Sequence, residues 1–354
     1  MHRRQENDVE IDEVSLGNRR NESTLFMTLD PRDPGTLELQ GIDAQASLFM
    51  KQGIRLLAAG ESNATIEALA LFDRALDLRR RLPVETVPRF GYGLAACWLN
   101  RAEALMQLQD ADVDRASLAI RAYDEAIRLL RKLPLHEDVR FPRRLAIAYQ
   151  NRGLVLQARR SNLAEACATF LEAIAVLDCD HSALISDRRY LLGAIWLNLA
   201  NACASASDLE SMAIGQDAAR RALALVADME TSNASAAEVG LKARHVFCQT
   251  IAPVLSHAIM KDEVMPDDVH DATDAADEGL GLVRKWEQKG VVRFRDIAYD
   301  LFGFGARVYA RFQPQFLHEF VRDNFEFARS SSSYQLERIA SGRRLLESAT
   351  YRIC

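Results

Sequence analysis

From Ala44 onward, apolar residues return about every 3.6 positions, the period of a helix with one buried face. The breaks between runs predict antiparallel helix pairs. The best-formed pair lies between Leu94 and Pro134. Its first helix carries Trp98, Asn100, Ala102 and Leu105, its second carries Ala119, Tyr123, Ala126 and Ile127, and Pro134 ends the run. From 98 to 149, a step of 51, the pattern returns as Tyr149, Asn151, Gly153 and Leu156. From 123 back to 72, the same step, the second helix returns as Ala68, Phe72 and Ala75. A step of 49 back aligns Phe49, Lys51, Gly53 and Leu56 with the first helix, and a step of 47 forward gives Ala166, Phe170, Ala173 and Ile174 in the third pair. Trp196, Asn198, Ala200 and Cys203 stand in the fourth pair, where Gly215, Ala219 and Ala222 loosen the match and remove the second-helix aromatic.

The connectors repeat too, since Arg89-Phe90 and Arg140-Phe141 sit at matching places in the linkers Pro83 to Gly93 and Pro134 to Arg144. Each aromatic is expected to cover the edge of its helix pair. Ser207 and Glu210 have capping-box spacing at the start of the fourth pair's second helix. The fifth pair is irregular: Pro253 should kink its first helix or end it early, and Asp267, Asp268, Asp271, Asp274, Asp277 and Glu278 crowd its second. Those acids read as a solvated face with N-terminal dipole partners. The Arg79-Arg80-Arg81 triplet reads as a helix C-terminus carrying cations.

Beyond the repeats the pattern changes at both ends. Residues 1–42 hold no sustained apolar period and are expected to be a disordered lead, followed by repeats over 43–290. Eight of the fifteen phenylalanines fall between Phe294 and Phe327, predicting two helices divided near Pro314 that cap the array over 291–329. A serine linker and a last amphipathic helix through Leu336, Ile339, Leu345 and Leu346 are expected over 330–354.

Small residues at fixed steps explain the pairing. Ala102 or Gly153 in the first helix and Ala68, Ala119 or Ala166 in the second let two backbones approach toward the near end of the roughly 8–10 Å range, while the aromatics fill the space beside them. One pair cannot bury its own apolar surface, so each must stack on its neighbours. An aromatic with Gly or Ala four residues later, then Ala, aromatic, Ala and Leu or Ile in the second helix, resembles the tetratricopeptide repeat family. The resemblance implies an all-α fold: a right-handed superhelical array of antiparallel helix pairs, an α-solenoid. The period of 47 to 51 residues departs from the family's roughly 34, which leaves the curvature open.

Composition adds exclusions. Hydrophobic residues make up 49% and charged ones 27% of the 354 residues, as in a folded protein. The net charge of −6 argues against a dedicated nucleic-acid binder. Six scattered cysteines form no CxxC pair, so reduced thiols are expected. No signal-peptide core and no membrane-length apolar run is present, so the chain is expected in the cytoplasm with no membrane partner. No P-loop, HExxH or GxSxG motif is found, and Cys179-Asp180-His181 is a poor nucleophile site, so the chain reads as no enzyme, with no metal and no cofactor.

The resemblance implies a scaffold or adaptor holding a peptide or partner protein on a concave face built by first helices. There Asn100, Asn151 and Asn198 form a ladder, with Lys51 at the matching place in the first pair. Asparagine offers donors and an acceptor to an extended backbone; it can equally bond a neighbouring helix. Arg101 and Arg152, beside the ladder, have two readings, an acidic partner or an acid on the adjoining helix. Leu99, Gln150 and Leu197 stand where carboxylate-clamping members of the family carry cations, so that role is not supported. The other function classes are a nucleic-acid-binding helical repeat, for which only Arg311, Arg322, Arg329, Arg338, Arg343 and Arg344 come near a basic stripe, and a regulatory subunit of an enzyme complex.

Overall fold

Proline fixes the φ that a first helical turn needs and has no N–H to leave unpaired there, and four of the described helices begin on one. The computed structural model describes residues 34–108, 114–159, 162–178, 185–206, 208–261 and 263–328. Among them every regular element is helical: α1 (Pro34–Ala59), α2 (Ser62–Arg79), α3 (Pro88–Gln107), α4 (Arg115–Leu130), α5 (Arg140–Ala158), α6 (Leu163–Asp178), α7 (Ile185–Ala204), α8 (Leu209–Val226), α9 (Ala234–Lys261), α10 (Pro266–Gln288), α11 (Arg295–Phe312) and α12 (Pro314–Asp323), closed by a single 3₁₀ turn at Phe325–Phe327.

Each helix packs on the next, most closely within the pairs α1–α2, α3–α4, α5–α6 and α7–α8. The first helices also neighbour one another, α1 with α3, α5 with α7 and α7 with α9. The result is an array of stacked helix pairs with one main core running through it and a small second cluster at the α2–α3 turn, as a sequence of self-insufficient pairs requires.

The small-against-large pairing expected from the repeat is what joins the helices. A side-chain carbon placed on Gly53 would lie 2.5 Å from the Phe72 ring, and one on Gly153 would lie 2.5 Å from the Phe170 ring. Ala102 and Tyr123 occupy the same two places in the second pair, both buried. Trp98 and Tyr149 each carry an arginine over the ring, Arg80 at 5.2 Å and Arg131 at 5.4 Å from the centroid, and both cations come from the end of the preceding second helix.

Several boundaries differ from the sequence reading. The first helix starts at Pro34, not near Ala44, because Leu39 and Ile42 pack with Val84 against Leu82, Val87 and Phe90 at the α2–α3 turn. A contact with a turn leaves no period in the sequence. Residues 1–33 of the expected lead lie outside the described residues. Arg89-Phe90 and Arg140-Phe141 belong to the opening turns of α3 and α5, not to connectors. Their rings are buried, Phe141 5.5 Å from Tyr92. The α8 cap falls one residue later than the Ser207 reading: Asp208 accepts hydrogen bonds from Ser211 N (2.7 Å) and Ser211 Oγ (2.8 Å), and Ser207 lies outside the described residues. Pro253 does not end α9, which runs on to Lys261. Leu255, fully buried beyond the proline, anchors that last stretch against the core.

At the C-terminal end, α11 and α12 divide at Pro314 as the sequence predicts. Phe294, Phe302, Phe304, Phe320 and Phe327 are buried, while Phe316 and Phe325 remain about half exposed. Phe302 and Phe320 stack at 5.6 Å, and Gly305 leaves room for the Phe320 ring against Ala276 of α10. The serine linker and final amphipathic helix expected over 330–354 lie outside the described residues.

Candidate partner-binding face

In the second and third pairs the two helices meet solvent differently. No residue of α3 is exposed, and on α5 only the terminal Arg140 and Ala158 are. The second helices carry an outward stripe, Arg121, Asp124 and Arg128 on α4 and Ala168, Leu171 and Ala175 on α6. The inner first helices α3, α5 and α7 thus line the sheltered side of the array, with half-buried polar positions between the core residues, while α1 at the end of the array is open to solvent.

Asn100, Asn151 and Asn198 all fall on that side and are half-buried, on α3, α5 and α7 respectively. Lys51 on α1 is exposed. Asn100 Nδ2 donates to the carbonyl of Ala96 one turn earlier, at 2.9 Å. That bond uses one donor and leaves the amide oxygen and the second N–H. Among the described residues, the side chains of Asn151 and Asn198 make no hydrogen bond. Asn201, one turn beyond Asn198, bonds back to Leu197 O at 3.0 Å as Asn100 does to Ala96.

Arg101 and Arg152 resolve toward the internal alternative. Arg101 Nε donates to Asp73 Oδ1 at 2.7 Å, and Arg152 Nε donates to Asp124 Oδ1 at 2.7 Å. Both acceptors sit on the preceding second helix at the same 51-residue step, so the ion pair is itself part of the repeat. Arg152 also reaches Thr169 Oγ1 at 3.0 Å and Glu165 Oε1 at 2.7 Å. These bonds raise its already high affinity for its proton against the opposing effect of burial. In the fourth pair the two places hold Leu199 and Leu171, and the bridge is gone.

Four of the six acids crowding α10 are likewise occupied by neighbours. Arg220 meets Asp271 at 2.6 Å, His270 meets Asp274 at 3.3 Å, Tyr309 donates to Asp277 at 2.6 Å and Arg244 meets Glu278 at 3.0 Å. Among the described residues no three His, Cys, Asp or Glu side chains gather into a group that could hold a metal ion. No described helix is long and apolar enough to cross a membrane. Cys179-Asp180-His181 lies outside the described residues, as do Arg329, Arg338, Arg343 and Arg344, while Arg322 pairs with Asp323 at 2.8 Å.

Two polar groups whose internal role the sequence reading missed hold helices together. Arg79, read as a helix-end cation, is buried and ties three helices: it donates to Asp43 Oδ1 (3.0 Å) and Ser47 Oγ (2.9 Å) on α1 and to Gly93 O (2.6 Å) on α3. Arg244 on α9 forms a buried pair with Glu230 at 2.6 Å. Gly240 and Gly93 were the available signals, each marking where a side chain of the preceding segment crosses the next first helix at close range. Neither a known family's sequence model nor a curated protein sequence matches the chain.

Proposed function

We propose that this chain is a non-catalytic, tetratricopeptide-like scaffold of the cytoplasm, which holds an extended peptide or a segment of a partner protein along its first helices. The observation that carries the reading is the state of the asparagine ladder. Asn151 and Asn198 sit half-buried at matching places on successive first helices, with no side-chain bond spent inside the described residues. A half-buried amide left without a partner sacrifices part of its hydration for nothing unless a ligand completes it. Asn100 adds a third partly free amide, and Lys51 extends the row with a cation.

An amide can give a peptide carbonyl a donor and take a peptide N–H in return, so a row of amides recognises backbone more than side chains. Arg101 and Arg152 position the row by bracing each first helix to the preceding pair, and they are not offered as ligand contacts.

Peptide-display selection on the purified chain tests the reading. Each net hydrogen bond is worth about 1 kcal/mol, so replacing Asn100, Asn151 and Asn198 together by alanine should weaken a selected peptide at least about tenfold. Helicity by circular dichroism should stay unchanged. Undiminished binding by the triple variant would move the site elsewhere.

A further inference from the structure

The sulfur atoms of Cys167 and Cys203 lie 3.8 Å apart. Cys167 is on α6 and Cys203 on α7, so the contact crosses the junction between the third and fourth pairs. Neither is in a disulfide. Cys167 is half-buried, whereas Cys203 is buried. Cys203 is also held from behind, because a side-chain carbon on Gly215 of α8 would stand only 3.2 Å from its Cβ. The other described cysteines, Cys97 and Cys248, are buried away from this pair.

Two thiols in contact share one hydrogen bond, which either sulfur can donate. When the more enclosed Cys203 donates, the bond and its burial both push its own thiol well above the ordinary range. Cys167 accepts, and its thiolate is favoured. A half-exposed, thiolate-prone sulfur beside a buried second thiol is the arrangement of an attacking and a resolving cysteine.

We propose that Cys167 and Cys203 form a reversible disulfide when the chain meets a hydroperoxide, locking the third pair to the fourth. The Cys167 thiolate attacks one peroxide oxygen. The S–O bond forms as the O–O bond breaks, and the departing oxygen leaves as water or an alcohol after taking a proton. Cys167 is then a sulfenic acid. The Cys203 sulfur, losing its proton, attacks the Cys167 sulfur; the S–S bond forms, the S–O bond breaks, and hydroxide leaves with that proton as water. Two thiols lose two electrons and the peroxide gains them. A disulfide is about 2.05 Å long, so the sulfurs close by less than 2 Å, and with Cys203 backed by α8 the motion falls on Cys167. In a stacked array neighbours are joined only through their shared interface, and this bond fixes the one between α6 and α7.

The test uses the reduced full chain with stoichiometric hydrogen peroxide, followed by alkylation of remaining thiols and non-reducing peptide mass mapping. The expected product is a peptide linked Cys167 to Cys203, lost on treatment with dithiothreitol, with two alkylatable thiols consumed per chain. In Cys203→Ala the expected product is a Cys167 sulfenic acid trapped by dimedone. Oxidation of Cys167 to the sulfinic acid with Cys203 still alkylatable, a dominant link from Cys167 to Cys179, or no consumption of either thiol would each overturn the proposal. Mapping of the unmodified sequence decides it even if the variant fails to fold.

Discussion

Gly153 and Phe170 are in contact so close that no side-chain carbon fits between them: one placed on Gly153 would lie 2.5 Å from the ring edge. The same relationship joins Gly53 to Phe72 two pairs earlier in the chain order of repeats. Glycine weakens a helix interior by about 1 kcal/mol relative to alanine, so its presence marks a contact worth more than that. Gly153→Ala gains the propensity and meets the ring. Overpacking costs typically about 1–3 kcal/mol, and the expected net result is a lower melting temperature. Adding Phe170→Leu should recover part of the loss, measured as a non-additive double-mutant cycle by thermal denaturation. Additive effects would show that the two residues do not clash.

The Arg244–Glu230 pair is enclosed on both sides, with side-chain exposures of 9% and 7%. Removing one partner of a buried pair leaves an uncompensated charge, at a cost of about 3–5 kcal/mol. Arg244→Met should therefore destabilise the chain strongly, while Arg244→Met with Glu230→Gln should be milder because no charge is stranded. Urea denaturation of the two variants distinguishes them, and equal losses would mean that packing rather than charge dominates here.

Acidification should act through His245. Burial holds its pKa below the ordinary value of 6.5, opposed by Asp300, whose carboxylate is 3.7 Å away, with Gln249 on the same helix at 3.3 Å. Because the folded pKa is the lower one, the unfolded chain takes up a proton first as pH falls through 6.5. Stability from this group is complete above pH 6.5 and is lost on going down toward the folded value. His245→Gln should flatten the dependence of melting temperature on pH just below 6.5. A slope identical to that of the parent would exclude His245 as its source.

Ending the chain after Gly290 removes α11 and α12 and uncovers Ala276 and Gly279 of α10, both now buried. A side-chain carbon placed on Gly279 would lie 2.5 Å from Leu301, and Trp286 meets Phe294 edge-on at 6.3 Å, so the lost contact is specific as well as apolar. An array end stripped of its cover exposes a core face. The shortened chain should aggregate or self-associate on size-exclusion chromatography. A monodisperse monomer would show that α11 and α12 are not needed as a cover.

The repeat was legible because packing of this kind is written in local spacing. Trp98, Tyr149 and Trp196, the glycines and alanines four residues on, and the second-helix Ala-aromatic-Ala series each report one contact per pair, repeated with little change. The helix order and the division at Pro314 follow from that spacing. The ladder asparagines could be located on their helices the same way, since they hold fixed steps from the aromatics.

What each polar side chain touches was beyond that reach. Arg101 and Arg152 look identical in sequence whether they face a partner or an acid, and the choice depends on Asp73 and Asp124, 28 residues away and brought beside them only by stacking. Arg79 belongs to an apparent surface triplet until α1 and α3 close over it, and Cys167 and Cys203 are 36 positions apart until α6 meets α7. The sequence by itself determined the helices and their pairing, because helical period and small-large complementarity act over a few residues. The tertiary structure decided which charges are spent inside the array, which amides are left over and which thiols meet, because those depend on distances across stacked pairs that no local period encodes.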